Sequence, residues 1–210
     1  MSSKRFPGKV VAPFRGRPII ACVVSRVAAA IPLEQIIVTT SDEVSDDPLA
    51  AYLQQIGVTV FRGPLDNVFE RFRLCLDQYP CSWFFRVCAD SPLLDSALVH
   101  AMMSYANDSS IDLITNIQVR SFPKGCSLEL INARTFANLD RASLTAHQRE
   151  HVTRVFYDHS DDFEIVNIHS GDADLADLRW TVDTVEDLAR LENETSLGLP
   201  AKGFTSNVSV

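Results

Sequence analysis

The sequence predicts an α/β fold built on a doubly wound, mostly parallel sheet. Two observations carry that expectation. From residue 18 to residue 115, segments with helical apolar spacing alternate with short β-branched or aromatic runs, the order that βαβ units produce. The short runs are apolar throughout instead of alternating, as in strands covered on both faces. At 210 residues the chain can bury a substantial core as one domain.

Pro18 to Ala30 is apolar nearly all round, as in a helix packed on a sheet. Gln35 to Thr39 reads as a buried strand. Asp47-Pro48 then reads as an N-cap with proline at the first helical position, opening a helix through Gln55 that Gly57 ends. Val58 to Phe61 is the next strand, and Asp66 caps an amphipathic helix from Asn67 to Gln78. Trp83 to Cys88 is a third strand, followed by a helix from Asp95 to Tyr105 and a strand from Ile111 to Thr115. Beyond that the rhythm breaks. The stretch 121–154 reads as an irregular insert, with a strand at Leu128 to Ile131 and helices at Ala133 to Arg141 and His147 to His159. Strands at Phe163 to Ile168 and Leu178 to Val182, a helix from Val185 to Asn193 and a frayed tail over 195–210 complete the expectation.

Charge excludes one class of partner. A net charge of −8 disfavours nucleic acid. Residues 1–33 nevertheless carry Lys4, Arg5, Lys9, Arg15, Arg17 and Arg26 with no acid, so the remainder carries −14. An acidic protein with one basic mouth suits a small polyanion such as a nucleotide. No apolar run approaches the roughly 20 residues that span a bilayer, and the N-terminus lacks a signal-peptide core, so a cytoplasmic location without membrane contact is expected. The five cysteines are scattered without a CxxC pair and read as small, reduced hydrophobes.

Arg5 and Lys9 flank a Pro7-Gly8 step, which shapes a loop able to present a guanidinium fork and a mobile ammonium to phosphate. The alternative is a basic tail, but Val10, Val11 and Phe14 follow at once. Neither GxxxxGK[ST] nor GxGxxG occurs. Asp90 stands just past a strand, in the Asp-x-Pro step Asp90-Ser91-Pro92, at the edge where ligands bind in open α/β sheets. Asp183 has a similar place before a helix. Two carboxylates facing a triphosphate call for Mg²⁺ between them; helix capping is the competing reading, and for Asp95 the preferred one. Arg62 and Asp66 form a second polar edge with Arg71, whose spacing also suits pairing with Asp66 or Glu70. Arg149-Glu150-His151 is a charged triplet at an expected helix start.

As an ordered set, RFPGK, VTTSD followed by DDP, FRG then DNVFERF, CADSPLLD, SFPKG, REHVT and RWTVDTVEDL resemble the cytidylyltransferases of spore-coat polysaccharide biosynthesis, which belong with the CMP-keto-deoxyoctonate and acylneuraminate synthetases. The similarity runs from Met1 to about Leu191. It implies the Rossmann-like fold of nucleotide-diphospho-sugar transferases and attack of a sugar hydroxyl, on an acidic keto-sugar, at the α-phosphorus of CTP. By that resemblance Arg5 and Lys9 hold the triphosphate, Asp90 and Asp183 hold Mg²⁺, and Arg62, Asp66 and Arg71 line the nucleotide pocket. Asn116, Glu129, Arg149 and His151 fall on the sugar side, and a homodimer through the 121–154 insert is expected. One departure matters. Members usually begin with an apolar strand and an Ala-Arg step before the loop, whereas here Met1 aligns with an internal methionine of that pattern. The first strand is therefore expected to be missing through a late start, a truncation or a real loss. Other readings that remain are a nucleotidyltransferase for a sugar or polyol phosphate, and a non-catalytic nucleotide-binding subunit.

Overall fold

The computed structural model describes residue 3, residues 5–194 and residues 204–206, so most of the 195–210 tail lies outside the described residues. The strands are β1 (Pro13–Phe14), β2 (Arg17–Pro18), β3 (Ile37–Ser41), β4 (Thr59–Gly63), β5 (Trp83–Val87), β6 (Leu113–Thr115), β7 (Leu128–Asn132), β8 (Ile165–His169) and β9 (Thr205–Ser206). The helices are α1 (Ile19–Ala28), α2 (Asp47–Gln55), α3 (Val68–Gln78), α4 (Ser96–Met103), α5 (Ala133–Asn138), α6 (Ala146–Glu150), α7 (Arg154–Asp158) and α8 (Val185–Asn193).

β1 and β2 form a small antiparallel hairpin, while β3 pairs with β4 in parallel. The main sheet has five strands in the order β5-β7-β6-β8-β9, with β6 and β8 parallel and β7 antiparallel to both its neighbours. Among the described residues no ladder joins β3 to β5, so the parallel pair β3-β4 and the five-stranded sheet are separate. Burial follows the split. Every residue of β6 and β7 is buried, but every residue of β5 is only half-buried although it reads WFFRV. Apolar side chains on a strand with one unpaired edge lose cover there.

α1 spans both halves, which explains its apolar character all round. Ile19, Val23 and Val27 enter the core against the five-stranded sheet; Ile20 and Val24 enter the smaller core against β3 and β4. Each set repeats every four residues, giving two adjacent stripes on one helix. The opposite face of the main sheet packs on α3, α5 and α7 through an aromatic cluster in which Phe69 and Phe136 have ring centroids 4.5 Å apart.

Several expected elements change in the structure. Asn67, not Asp66, caps α3 by accepting the Glu70 N–H, and Asp66 is exposed. Asp47 opens α2 as its first residue. The expected helix over 147–159 is two helices, α6 and α7, because the chain turns between them to bury Val152 in the aromatic cluster. The triplet 149–151 therefore ends α6 instead of starting a helix. Leu178 to Val182 forms no ladder: its backbone bonds run to Lys124 and Asp90. The stretch 121–154 also supplies β7, a fully buried strand of the main sheet.

Candidate active site

Gly8 adopts φ 71°, a left-handed conformation open to glycine, and starts the short 3₁₀ turn Lys9–Val11. This turn aims Lys9 at two carboxylates that arrive from distant parts of the chain. The Lys9 ammonium donates to Asp90 Oδ2 at 2.8 Å and to Asp183 Oδ1 at 3.0 Å. Arg5 Nη2 lies 2.9 Å from the same Asp183 oxygen. Burial alone would lower the Lys9 pKa; hydrogen bonds and charge from Asp90, then Asp183, hold it above the usual 10.5. The four residues singled out as catalytic thus meet at one point.

Neither carboxylate is a helix cap. Thr184 caps α8 in a capping box with Asp187, and Asp183 only donates its N–H to Asp187 Oδ2. Asp95 does cap α4 through the Ala97 N–H. The two acidic segments are tied directly by the Val182 N–H, which donates to the Asp90 carbonyl at 2.9 Å. Further support comes from the Ser121-Phe122-Pro123-Lys124-Gly125 loop. Lys124 N–H donates to Leu178 O at 2.9 Å, and Trp180 N–H donates to Lys124 O. Gly125 has φ +109°, and a Cβ there would stand 2.5 Å from the Trp180 carbonyl carbon, so only glycine lets the two segments touch.

The expected nucleotide side is less uniform. Arg62 is engaged in the turn after β3: Nε donates to Ser41 O at 2.9 Å, Nη2 to Glu43 O at 2.8 Å, and Nη1 pairs with Asp47 at 2.5 Å. Arg71 pairs with neither Asp66 nor Glu70, because Arg73 takes Glu70. Instead its Nη1 donates to Pro64 O at 2.8 Å, and its buried Nε has no hydrogen-bond partner. Burial lowers the Arg71 pKa, opposed by the charges of Asp46 and Asp42. A buried guanidinium short of acceptors is suited to a polyanion.

The residues expected on the sugar side are not gathered together. Asn116 is fully buried and clamps the start of β7, donating to Cys126 O at 2.7 Å and accepting from the Leu128 N–H at 2.9 Å. Glu129 is 1% exposed and takes the Arg86 guanidinium at 3.2 Å and the Tyr157 hydroxyl at 2.7 Å. Arg149 instead lines a cleft of about 530 Å³ with Asn67, Phe69, Glu70 and Arg141, which contains none of Arg5, Lys9, Asp90 or Asp183. His151 is exposed, its ring 4.6 Å from that of His147. Sequence reasoning missed Arg86 and Tyr157. An arginine inside the otherwise apolar run WFFRV was a readable sign of a buried partner.

The cytidylyltransferase family model matches residues 1–194. The chain belongs to the cytidylyltransferase family. It is accordingly a CTP-dependent nucleotidyltransferase. The cytidylyltransferase is 28% identical over 193 residues to the spore coat polysaccharide biosynthesis protein SpsF of Bacillus subtilis, covering 89% of this chain and 79% of that one. Its fold matches a cytidylyltransferase from Leptospira borgpetersenii with a TM-score of 0.86 at 27% identity, over 91% and 81% of the two chains. The structure of a CMP:2-keto-3-deoxy-manno-octonic acid synthetase complexed with CTP shares the fold at a TM-score of 0.65 and 12% identity, over 91% and 92%. No helix among the described residues is long and apolar enough to cross a membrane.

Proposed function

We propose that this cytidylyltransferase transfers CMP from CTP to a hydroxyl of an acidic keto-sugar, with release of pyrophosphate, in the synthesis of a surface polysaccharide. The observation that supports it best is the meeting of Arg5, Lys9, Asp90 and Asp183 at the ligand edge of the sheet. Nucleotidyl transfer needs little covalent help from the protein; it needs the triphosphate held in line with the attacking hydroxyl and the charge on the departing pyrophosphate neutralised. Arg5 and Lys9 are mobile or forked cations placed for that neutralisation, and Arg71 with its unpartnered Nε adds a third on the nucleotide side, beside Arg62 and Asp66.

Two carboxylates linked by one ammonium also fit a divalent cation. Asp90 and Asp183 would hold Mg²⁺, with phosphate and water supplying its remaining oxygen ligands. The ion would supply Lewis-acid neutralisation of the phosphate oxygens. We further place the enzyme in the cytoplasm as a homodimer, as the family resemblance suggests.

The test is pyrophosphate release from CTP with Mg²⁺ against a panel of keto-sugar acids, sugar phosphates and polyol phosphates. Turnover with a keto-sugar acid is expected, and Asp90→Asn should abolish it while leaving the fold intact. Absence of CTP binding, or full activity in Asp90→Asn, would overturn the assignment.

A further inference from the structure

The loop over 116–127 leaves β6 at the sheet edge that bears Asp90 and returns into β7. Its backbone is clamped at three points. Asn167 on β8 accepts the Val119 N–H and donates to the Val119 carbonyl, both at 3.1 Å. Ser170 donates its N–H to Ser121 Oγ at 2.9 Å and its hydroxyl to Ser121 O at 2.7 Å. Lys124 bonds to the segment that leads to Asp183. A surface loop so heavily tied is preorganised, and what it presents is held still.

Beneath it, one row of the sheet is polar. Arg86, Glu129, Thr115 and Asn167 are register partners across β5, β7, β6 and β8, so their side chains share a face. The Tyr157 hydroxyl closes the row, bonding Glu129 and lying 2.8 Å from Thr115 Oγ1. The row lies close in sequence to the proposed catalytic point: Arg86 is the fourth residue of β5, which ends at Val87, and Asp90, the partner of Lys9, follows three residues on. Within the row the Glu129 carboxylate is already matched by Arg86.

Arg120 is the cation the clamped loop holds over this row. It is half-buried and lies near Tyr157 and the Glu129 carboxylate. Its one hydrogen bond among the described residues is from Nη1 to the neutral Ser127 Oγ at 3.2 Å, and it makes no ion pair there. By contrast, the half-buried Arg62, Arg73 and Arg86 each face a carboxylate. A partly desolvated guanidinium with most of its donors unused, on a loop whose Lys124 is bonded to the segment that leads to Asp183, is a receptor for an anion. A carboxylate fits better than a phosphate: with Arg86 taken by Glu129, one spare cation balances one charge, and the buried Glu129 would repel a dianion.

We infer that Arg120 is a specificity-determining ligand of the acceptor sugar, gripping its carboxylate while the acceptor hydroxyl reaches the site of Lys9, Asp90 and Asp183. This rests on the cytidylyl-transfer reading above and names the acceptor group that this reading leaves unassigned to a residue. The experiment measures pyrophosphate release by wild type, Arg120→Gln and Arg120→Lys, varying CTP and acceptor separately. Probes are 2-keto-3-deoxy-manno-octonic acid and N-acetylneuraminic acid, their methyl esters, and sugar phosphates.

Arg120→Gln should raise the KM for the acid acceptor by about 10- to 100-fold, the range for a lost charge-assisted contact, and leave the KM for CTP unchanged. Arg120→Lys should fall between, since it keeps charge but loses the fork. Methyl esters should be poor acceptors for wild type and no worse for Arg120→Gln. Turnover of acid acceptors that Arg120→Gln leaves intact, or with its KM for CTP raised instead, overturns the role of Arg120 while sparing the cytidylyl reading. Turnover of sugar phosphates alone overturns the carboxylate assignment. No turnover of any acceptor removes both.

Discussion

Lys9 is the point at which stability and catalysis can be separated. In Lys9→Met the stem keeps its length and loses its charge. The ammonium is 15% exposed and lies 2.8 and 3.0 Å from two carboxylates that are themselves 24% and 29% exposed. Stripping a fully buried ion pair of one partner costs about 3–5 kcal/mol, and an exposed pair contributes under about 1. Partial access of water to both carboxylates puts this site between, at about 2 kcal/mol. For a chain of this size that is a fall in Tm of about 4–8 °C. The Lys9 pKa is raised above 10.5 in the folded state, so its contribution is fully present below that value and lost as pH rises past it. The stability gap between wild type and variant should therefore stay flat across the neutral range and close only in strong alkali. Catalysis should suffer more. Loss of one donor to a developing anion costs about 3 kcal/mol, or about 10²-fold in kcat. A third reading separates the roles: with Lys9 gone, Asp90 loses its counter-charge and Asp183 keeps only Arg5, so Mn²⁺ binding measured calorimetrically without nucleotide should tighten. A variant with kcat within threefold of wild type (about 0.65 kcal/mol), or with weakened Mn²⁺ binding, would refute the reasoning.

Two further outcomes concern the frame. Gly125→Ala combines a positive φ with a Cβ 2.5 Å from the Trp180 backbone, and should cost at least about 3 kcal/mol and a large share of activity, read by urea unfolding and pyrophosphate release. A normal unfolding midpoint would mean the two segments separate without penalty. Asp46 is 3% exposed; burial would raise its pKa, but Ser41 and Thr40 donors hold it well below the usual carboxylate range. Its stabilisation is thus present above about pH 4 and lost as pH falls below that. Asp46→Asn should lower stability at pH 7 by about 2 kcal/mol and leave a shallower loss between about pH 4 and 2.

The parts of this protein that were legible in its sequence are those that local chemistry decides. Ile37–Ser41, Thr59–Gly63 and Trp83–Val87 stand within two residues of the expected strands because continuous apolar, β-branched runs have few other uses. The meeting of Arg5, Lys9, Asp90 and Asp183 was legible for a related reason: Gly8, and charged groups placed just past strands, are expensive unless they find partners. What failed was decided at a distance. Asp66 and Asn67 are equivalent caps in sequence, and only the entry angle of α3 chooses Asn67. By spacing alone Arg71 suited pairing with Asp66 or Glu70, but Arg73 takes Glu70, which no spacing rule resolves. The span 178–182 has strand composition, yet its partners are a loop and the Asp90 carbonyl, so it runs extended without a ladder.

That last segment explains how a site scattered over residues 5, 9, 90 and 183 holds together although the sheet beneath is split. The Val182–Asp90 bond fixes the spacing of the two carboxylates, and the Lys124–Trp180 contact presses the same segment against the 116–127 loop. Gly125 is the residue that permits this approach. One extended strip therefore connects the acceptor-side loop, through Trp180 and Val182, to the carboxylates that meet Lys9. None of these contacts involves β3 or β4, and none crosses the split between β3 and β5. The two carboxylates and the 116–127 loop are thus built on the five-stranded half. Of the residues proposed for the nucleotide side, Arg62 is on β4 of the other half, and Arg71 is on α3, which follows β4 and also packs on the five-stranded sheet through Phe69. Lys9 comes from the N-terminal loop ahead of α1, the helix whose two apolar stripes hold both halves. Any loosening between the halves must then act first on the reach of Lys9 and on nucleotide affinity, and leave the spacing of Asp90 and Asp183 unchanged.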